Sequence, residues 1–236
     1  MRDQRVVIVG GSSGMGLRVA QLVVAAGGRV VIGGRDPDRL AQAVATLGDR
    51  AESRRVDNTD KTSIAAFFDG IGGFDHLFTP GSSQLSGRID EIDDDTAESP
   101  FRSKFWGQYY AVKHALPHLA KTGSIVLMSG AYSQRPLAGA AAYVACNSAI
   151  EGLARALAVE LAPIRVNAIS PGLIDTELWQ KRPKEAREQA HARYASLSTL
   201  QRVGTVDEAA DAVLFLMRNT YTTGSALFTD GGYTLR

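Results

Sequence analysis

Glycines at positions 10, 11, 14 and 16, with Ser12 and Ser13 among them, follow directly on the apolar residues 6–9. Four β-formers in a row without polar alternation read as a strand buried on both faces, and the glycines as a turn into a helix starting near Met15. The chemistry open to such a turn is anion binding. The first N–H groups of a helix lack intrahelical partners and carry the positive end of its dipole, and glycines let a phosphate approach the main chain closely. A dinucleotide diphosphate is the matching guest, held by Gly10, Ser12, Ser13, Gly14, Met15 and Gly16. The spacing is G-x-x-x-G-x-G rather than GxGxxG, and the plain alternative is a tight strand-to-helix turn without a ligand.

A second strand over 30–32 ends in Gly33, Gly34 and Arg35. In dinucleotide folds this strand end faces the adenosine ribose, where an acid suits the 2′-hydroxyl and an arginine a 2′-phosphate. Gly34 leaves the acid position empty and Arg35 follows, which favours NADP(H) over NAD(H) because a guanidinium forks onto phosphate oxygens. The alternative is a surface arginine in a turn. Asp36 then serves as a helix N-cap.

Positioning these residues requires strands and helices in strict alternation. Helices are expected over 17–26, 40–47, 62–68, 100–120, 140–161 and 206–218, and strands over 52–56, 74–78, 124–128, 164–169 and 226–228. That alternation predicts an α/β fold: a single-domain, Rossmann-type, doubly wound parallel sheet flanked by helices. Such sheets bind ligands at the carboxyl ends of their strands, where Asp57, Asn58, Gly81 and Ser82 fall. A charged helix over 177–194, within a segment of about residues 174–200, is placed as a lid over a substrate. The acid-rich stretch 90–98 reads as a solvated loop and helix start.

With 236 residues, 44% of them hydrophobic, the chain can bury one core and is read as one domain. Lys and Arg total 26 against 25 for Asp and Glu, so the charge balance names no nucleic-acid partner. The lone Cys146 excludes an intramolecular disulfide and a thiolate zinc cluster. His114 and His118 lie i, i+4 but lack a third ligand, so no metal is expected. The first apolar run is too short for a signal peptide or membrane span, and the chain reads as cytoplasmic, with no membrane partner.

Three segments, VGGSSGMG, YVACNSAIEGLARALAVELAPIRVNAISPG and FTDGG, make the whole chain resemble the short-chain dehydrogenase/reductase family. The resemblance implies that Gly10, Gly14, Gly16, Arg35 and Asp57 hold the cofactor. It further implies that the loop after Pro171 and Gly172 holds the nicotinamide carboxamide, through Ile174 and Thr176. Where the family usually has NNAG, this chain has Thr79-Pro80-Gly81-Ser82. Family members are usually dimers or tetramers formed through the helices expected at 100–120 and 140–161.

The departure lies in the catalytic positions. The family pairs Tyr-x-x-x-Lys on one helical face, so that the ammonium favours the ionised phenol and binds the nicotinamide ribose. Here the line reads Tyr143-Val144-Ala145-Cys146-Asn147. The family's substrate-orienting serine falls at Gly130, preceded by Ser129, and its asparagine on the preceding long helix falls at Lys104. Tyr143 alone matches. Reduction needs a proton donor rather than a phenolate, so a neutral Tyr143 can still protonate the oxygen of a small carbonyl or enone, as a weakened donor that slows turnover without ending it.

Lys104 and Asn147 together look like an exchange of the family's asparagine and lysine. The expectation is that the Lys104 ammonium reaches the space beside Asn147; the alternative is two unrelated changes on a relaxed site. Ser129, Tyr132 or Ser133 are candidates to replace the missing serine. The competing functions are a cofactor-binding protein without redox turnover and a cofactor-assisted isomerase or dehydratase.

Overall fold

The structure, a computed structural model, describes residues 1–82 and 85–236, less the side chain of Leu178. Its strands are β1 (Arg5–Val9), β2 (Arg29–Gly34), β3 (Ala51–Arg55), β4 (Phe74–Thr79), β5 (Leu119–Met128), β6 (Arg165–Pro171), the short β7 (Ile174–Asp175) and β8 (Gly204–Thr205), and β9 (Ala226–Thr229). Seven of them form one parallel sheet in the order β3-β2-β1-β4-β5-β6-β9, and β7 pairs with β8. The order reverses between β1 and β4, which opens a crevice at the carboxyl edge.

Side chains alternate across the sheet and bury both of its faces. Val7, Val31, Leu77, Ile125 and Leu127 pack one way, against α3 (Lys61–Phe68), α5 (Gly107–Ala115) and α6 (Ala141–Glu160). Val6, Ile8, Val30, Ile32, Phe78, Val126 and Met128 pack the other way, against α1 (Gly14–Ala25), α2 (Pro37–Leu47) and α9 (Val206–Arg218). Burial on both faces is the reason these strands read as unbroken apolar runs. Local signals set the helix ends: Asp36 accepts from the amides of Asp38 and Arg39, Pro37 opens α2, and Gly48 at φ 77° closes it. At α9, Thr205 and Glu208 form a reciprocal capping box.

Two expectations need correction. The helix placed at 100–120 begins earlier, as α4 (Asp94–Pro100), because Asp93 caps it through the amide of Thr96. It runs through a π-helical stretch, Phe101–Trp106, into α5 and ends at Ala115; Leu119 already belongs to β5, opposite Phe74. The helix expected over 177–194 is broken into α7 (Glu177–Gln180) and α8 (Lys184–Leu197), with Pro183 at the break. Of the loop 83–99, residues 83 and 84 lie outside the described residues. Among the described residues, no helix is long and apolar enough to cross a membrane.

Candidate active site

A cleft of about 300 Å³ lies at the carboxyl ends of β1, β2 and β4. Gly10 (φ 108°) and Gly14 (φ 53°) take left-handed backbone, a Cβ on Gly16 would lie 2.0 Å from the Gly10 carbonyl oxygen, and one on Gly10 would lie 2.4 Å from Gly81 N. Only glycine fits this turn. Ser13 precedes α1 without placing its side chain on the helix amides, and the first turn holds no acid. By contrast, Asp36, Asp60, Asp93 and Thr205 cap α2, α3, α4 and α9. Among the described residues, therefore, no side chain caps the amides opening α1, which fit a diphosphate.

Gly10, Ser12, Ser13, Gly14, Met15, Gly16, Arg35, Asn58, Gly81, Ser82 and Thr176 all line the cleft. A Cβ at Gly34 would lie 3.1 Å from Ser12 Oγ, so the glycine there makes room for the serine hydroxyl. Asp57 itself does not line the cleft, although Val56 and Asn58 on either side of it do. Burial opposes its ionisation, but hydrogen bonds from the Thr59 amide (2.9 Å) and hydroxyl (2.8 Å), with Arg35 and Arg55 nearby, hold its carboxyl below the ordinary range. Asn58 turns its amide group inward, donating to the carbonyls of Gly81 (2.7 Å) and Ser103 (2.9 Å), and so braces the loop after β4.

Pro171, Gly172 and Ile174 do not line this cleft. Pro171 ends β6 opposite Thr229, and a Cβ on Gly172 would collide with the Tyr194 hydroxyl. Ile174 pairs with Gly204 and faces a separate hollow of about 450 Å³. Arg39 and Lys181 line the cleft and were missed. Arg39 stands four residues past Arg35, a spacing visible in the sequence; Lys181 reaches the cleft from the end of α7, which no local spacing announces.

Further along the edge, Lys104 extends from the π-helical stretch toward α6, where Tyr143 and Asn147 lie i, i+4 on one face. Its ammonium donates to Asn147 Oδ1 (2.6 Å), to the Ser129 carbonyl (2.8 Å) and to the Tyr143 hydroxyl (3.3 Å), and lies 4.7 Å from the Tyr143 ring centroid. Lys104 is 2% exposed and Asn147 fully buried. A buried ammonium is tolerated when its protons are all taken, and three protons here meet three oxygens. One residue of π-helix per turn beyond the α-helical count is a recurrent feature of functional sites.

A family model described as Enoyl-(Acyl carrier protein) reductase matches residues 9–234. The chain is 31% identical to short-chain dehydrogenase/reductase ucsE of Acremonium sp, over 98% of this chain and 96% of the relative. This chain belongs to the short-chain dehydrogenase/reductase family. It is also 32% identical to cis-4-hydroxycyclohexanecarboxylate dehydrogenase of Sinomonas cyclohexanicum, over 97% of this chain and 95% of the relative. A small-chain dehydrogenase solved in complex with NADPH superposes with a TM-score of 0.82 at 33% identity, over 99% of this chain and 100% of that one. The chain is thus an oxidoreductase-type member of the family.

Within this member, the structure turns the expected serine stand-ins elsewhere. Ser129 Oγ lies 3.0 Å from two acceptors, Glu151 Oε1 and the Asn147 carbonyl, and its own carbonyl accepts from Lys104. Ser133 Oγ donates to the same Glu151 oxygen (2.6 Å), as does Ser170 Oγ (2.8 Å). Glu151, 4% exposed, was not singled out from the sequence; its place one turn past Asn147 was the available signal. Tyr132 packs edge-on against Tyr143 at 6.2 Å. Cys146 is buried, its thiol pushed up to about 11 by burial against the opposing charge of Lys104, and donates to the Pro100 carbonyl.

Proposed function

We propose that this chain is an NADP(H)-dependent reductase of a small carbonyl compound or enone, with Tyr143 as proton donor and Lys104 as its supporting charge. The reading rests chiefly on the Lys104 ammonium lying within reach of both the Tyr143 hydroxyl and Asn147 Oδ1. In this reading, Lys104 and Asn147 have exchanged the family's residue types across the site, and the positive charge is supplied from the π-helical stretch instead of from α6.

A reduced nicotinamide dinucleotide along the cleft would supply the hydride. The glycine turn and the α1 amides would hold its diphosphate, with Thr176 and Lys181 opposite. Arg35 and Arg39 both line the cleft and would offer two guanidinium groups to a 2′-phosphate, and the Asp36 carboxylate is already engaged by the amides of Asp38 and Arg39. This arrangement supports a preference for NADP(H). Tyr143 is half-buried, so its hydroxyl can meet a substrate oxygen. Lys104 donates to the phenol oxygen and stabilises the charge left there once the proton has moved.

The test is a panel of ketones, aldehydes and enones with NADPH oxidation followed optically, beside calorimetry of NADPH and NADH. Turnover with NADPH, and tighter binding of NADPH than NADH, is the expected result. Cofactor binding with no turnover across the panel would leave a binding protein or a non-redox enzyme. Equal affinity for the two cofactors would overturn the role given to Arg35.

A further inference from the structure

Two opposite charges are buried on either side of Ser129, and among the described residues neither has an ion as a hydrogen-bond partner. The Lys104 ammonium meets an amide oxygen, a main-chain carbonyl and a phenol. Glu151 meets Ser133 Oγ (2.6 Å), Ser170 Oγ (2.8 Å) and Ser129 Oγ (3.0 Å), all at Oε1, while Gln134 Nε2 stands 3.5 Å from Oε2. The 2.6 Å contact has the length of a hydroxyl bonded to a carboxylate. Glu151 does not line the cofactor cleft.

Ser129 joins the two charges. Its carbonyl accepts from Lys104 (2.8 Å), and its hydroxyl lies 3.0 Å from both Glu151 Oε1 and the Asn147 carbonyl. Helix α6 joins them again: Tyr143, Asn147 and Glu151 are spaced i, i+4, i+8 along one face, and Lys104 bonds to the first two. The other two serines come from the turn Ala131–Ser133 and from β6, so the carboxylate ties three segments of this edge together. Burying a charge is costly unless an opposite charge offsets it, and where water is shut out that attraction acts across an intervening residue.

We propose that Glu151 is the counter-charge of Lys104, a positioning residue that holds the ammonium against the Tyr143 hydroxyl through Ser129 and Asn147. The effect on turnover rests on the reductase reading above, whereas the pairing of the charges does not. A buried cation far from any anion is driven to lose its proton or its place. Fixing Ser129 sets the carbonyl that takes one ammonium proton, and the turn of α6 shared with Asn147 sets the amide oxygen that takes another. The third proton is left for the Tyr143 oxygen, where negative charge develops as that residue gives its own proton to a substrate.

Substitutions at Glu151 separate charge from shape. In Glu151→Gln the side-chain oxygen can still accept all three hydroxyls, because they converge on one atom, and Gln134 can turn its amide oxygen toward the new NH₂. Only the charge is lost. Glu151→Asp keeps the charge and gives up reach. In thermal melts of the full chain, Glu151→Gln is expected to lower Tm by ~5–15 °C, as when one partner of a buried pair is removed from a chain of this length. With Lys104→Met already present, the same change leaves Tm unaltered or raises it. A Glu151→Gln chain that folds only together with Lys104→Met supports the pairing equally. Equal shifts in the two backgrounds, no shift in the wild type, or failure of both Gln-bearing chains to fold makes Glu151 a hydrogen-bond hub alone and overturns the proposal.

Kinetics supply a second arm. With NADPH and a reducible carbonyl, Glu151→Gln lowers kcat ~10-fold, within the range of couplings inside one hydrogen-bond network, while KM for NADPH is unchanged. Glu151→Asp loses less. A hub held by shape reverses that order, and the reversed order overturns the proposal. If the wild type reduces no carbonyl, the reductase reading falls while the melts still decide the pairing.

Discussion

The two ends of the sheet's carboxyl edge are built by opposite means. At the glycine-turn end backbone shape dominates: a Cβ on Gly16 would strike the carbonyl of Gly10, and one on Gly10 would strike the distant Gly81. At the β5–α6 end the defining contacts are hydrogen bonds made by side chains. Lys104 reaches Asn147 across 43 positions and Ser129 across 25. The first end tolerates almost no added side chain, whereas the second depends on which side chains face each other. The lesson is that one end is specified by spacing and the other by partnership.

The largest effect separating the two ends is expected from Tyr143→Phe. On the proposed reading it removes the proton donor, and kcat for a carbonyl substrate is expected to fall ~10²- to 10⁴-fold with NADPH affinity unchanged by calorimetry. A matching loss of cofactor affinity would break the division. Gly16→Ala attacks the other end. A methyl group 2.0 Å from Gly10 O forces the turn apart, and ~3 kcal/mol of stability is lost in denaturant titration.

Arg35→Ala is next: NADPH binding weakens ~10- to 100-fold while NADH binding is unchanged, the scale of one charged hydrogen bond. A smaller effect sharpens the comparison itself. Lys104→Met and Asn147→Ala, combined, should depart from additivity in kcat/KM by ~1–2 kcal/mol because the two side chains touch, while Arg35→Ala with Tyr143→Phe should add. Coupling in the second pair would show that the ends communicate.

The smallest effect concerns the sheet beneath. Burial, helped by Arg165 and opposed by Asp75, pushes the His76 imidazole down to about 4 from its ordinary 6.5, and its Nδ1 meets Ser124 Oγ at 2.8 Å. The unfolded chain takes up that proton first, so stability falls as pH drops from about 6.5 toward 4. In His76→Asn the slope over that window flattens, as thermal melts across the range will show.

Much of the fold was legible because both of its periodicities are local. The buried strands announce themselves as apolar runs, and α2 and α9 by their caps, Asp36 and Thr205. The long helix was misplaced because its start was set at Pro100, whereas Asp93 seven residues earlier caps the turn. Asp57 and Arg35 at their strand ends were likewise visible, and Arg39 should have been.

What the amino-acid sequence determined alone is the succession of strands and helices, the glycine turn and the pairing of Tyr143 with Asn147 on one helical face, since each depends on residues within a turn or two of one another. Which way Ser129 presents its hydroxyl, that Glu151 gathers three of them, and that Lys104 fills the space beside Asn147 were decided only in the folded chain. A buried charge or hydroxyl takes whatever partner the packing of distant segments brings to it, and nothing in its own neighbourhood of sequence says which partner that will be.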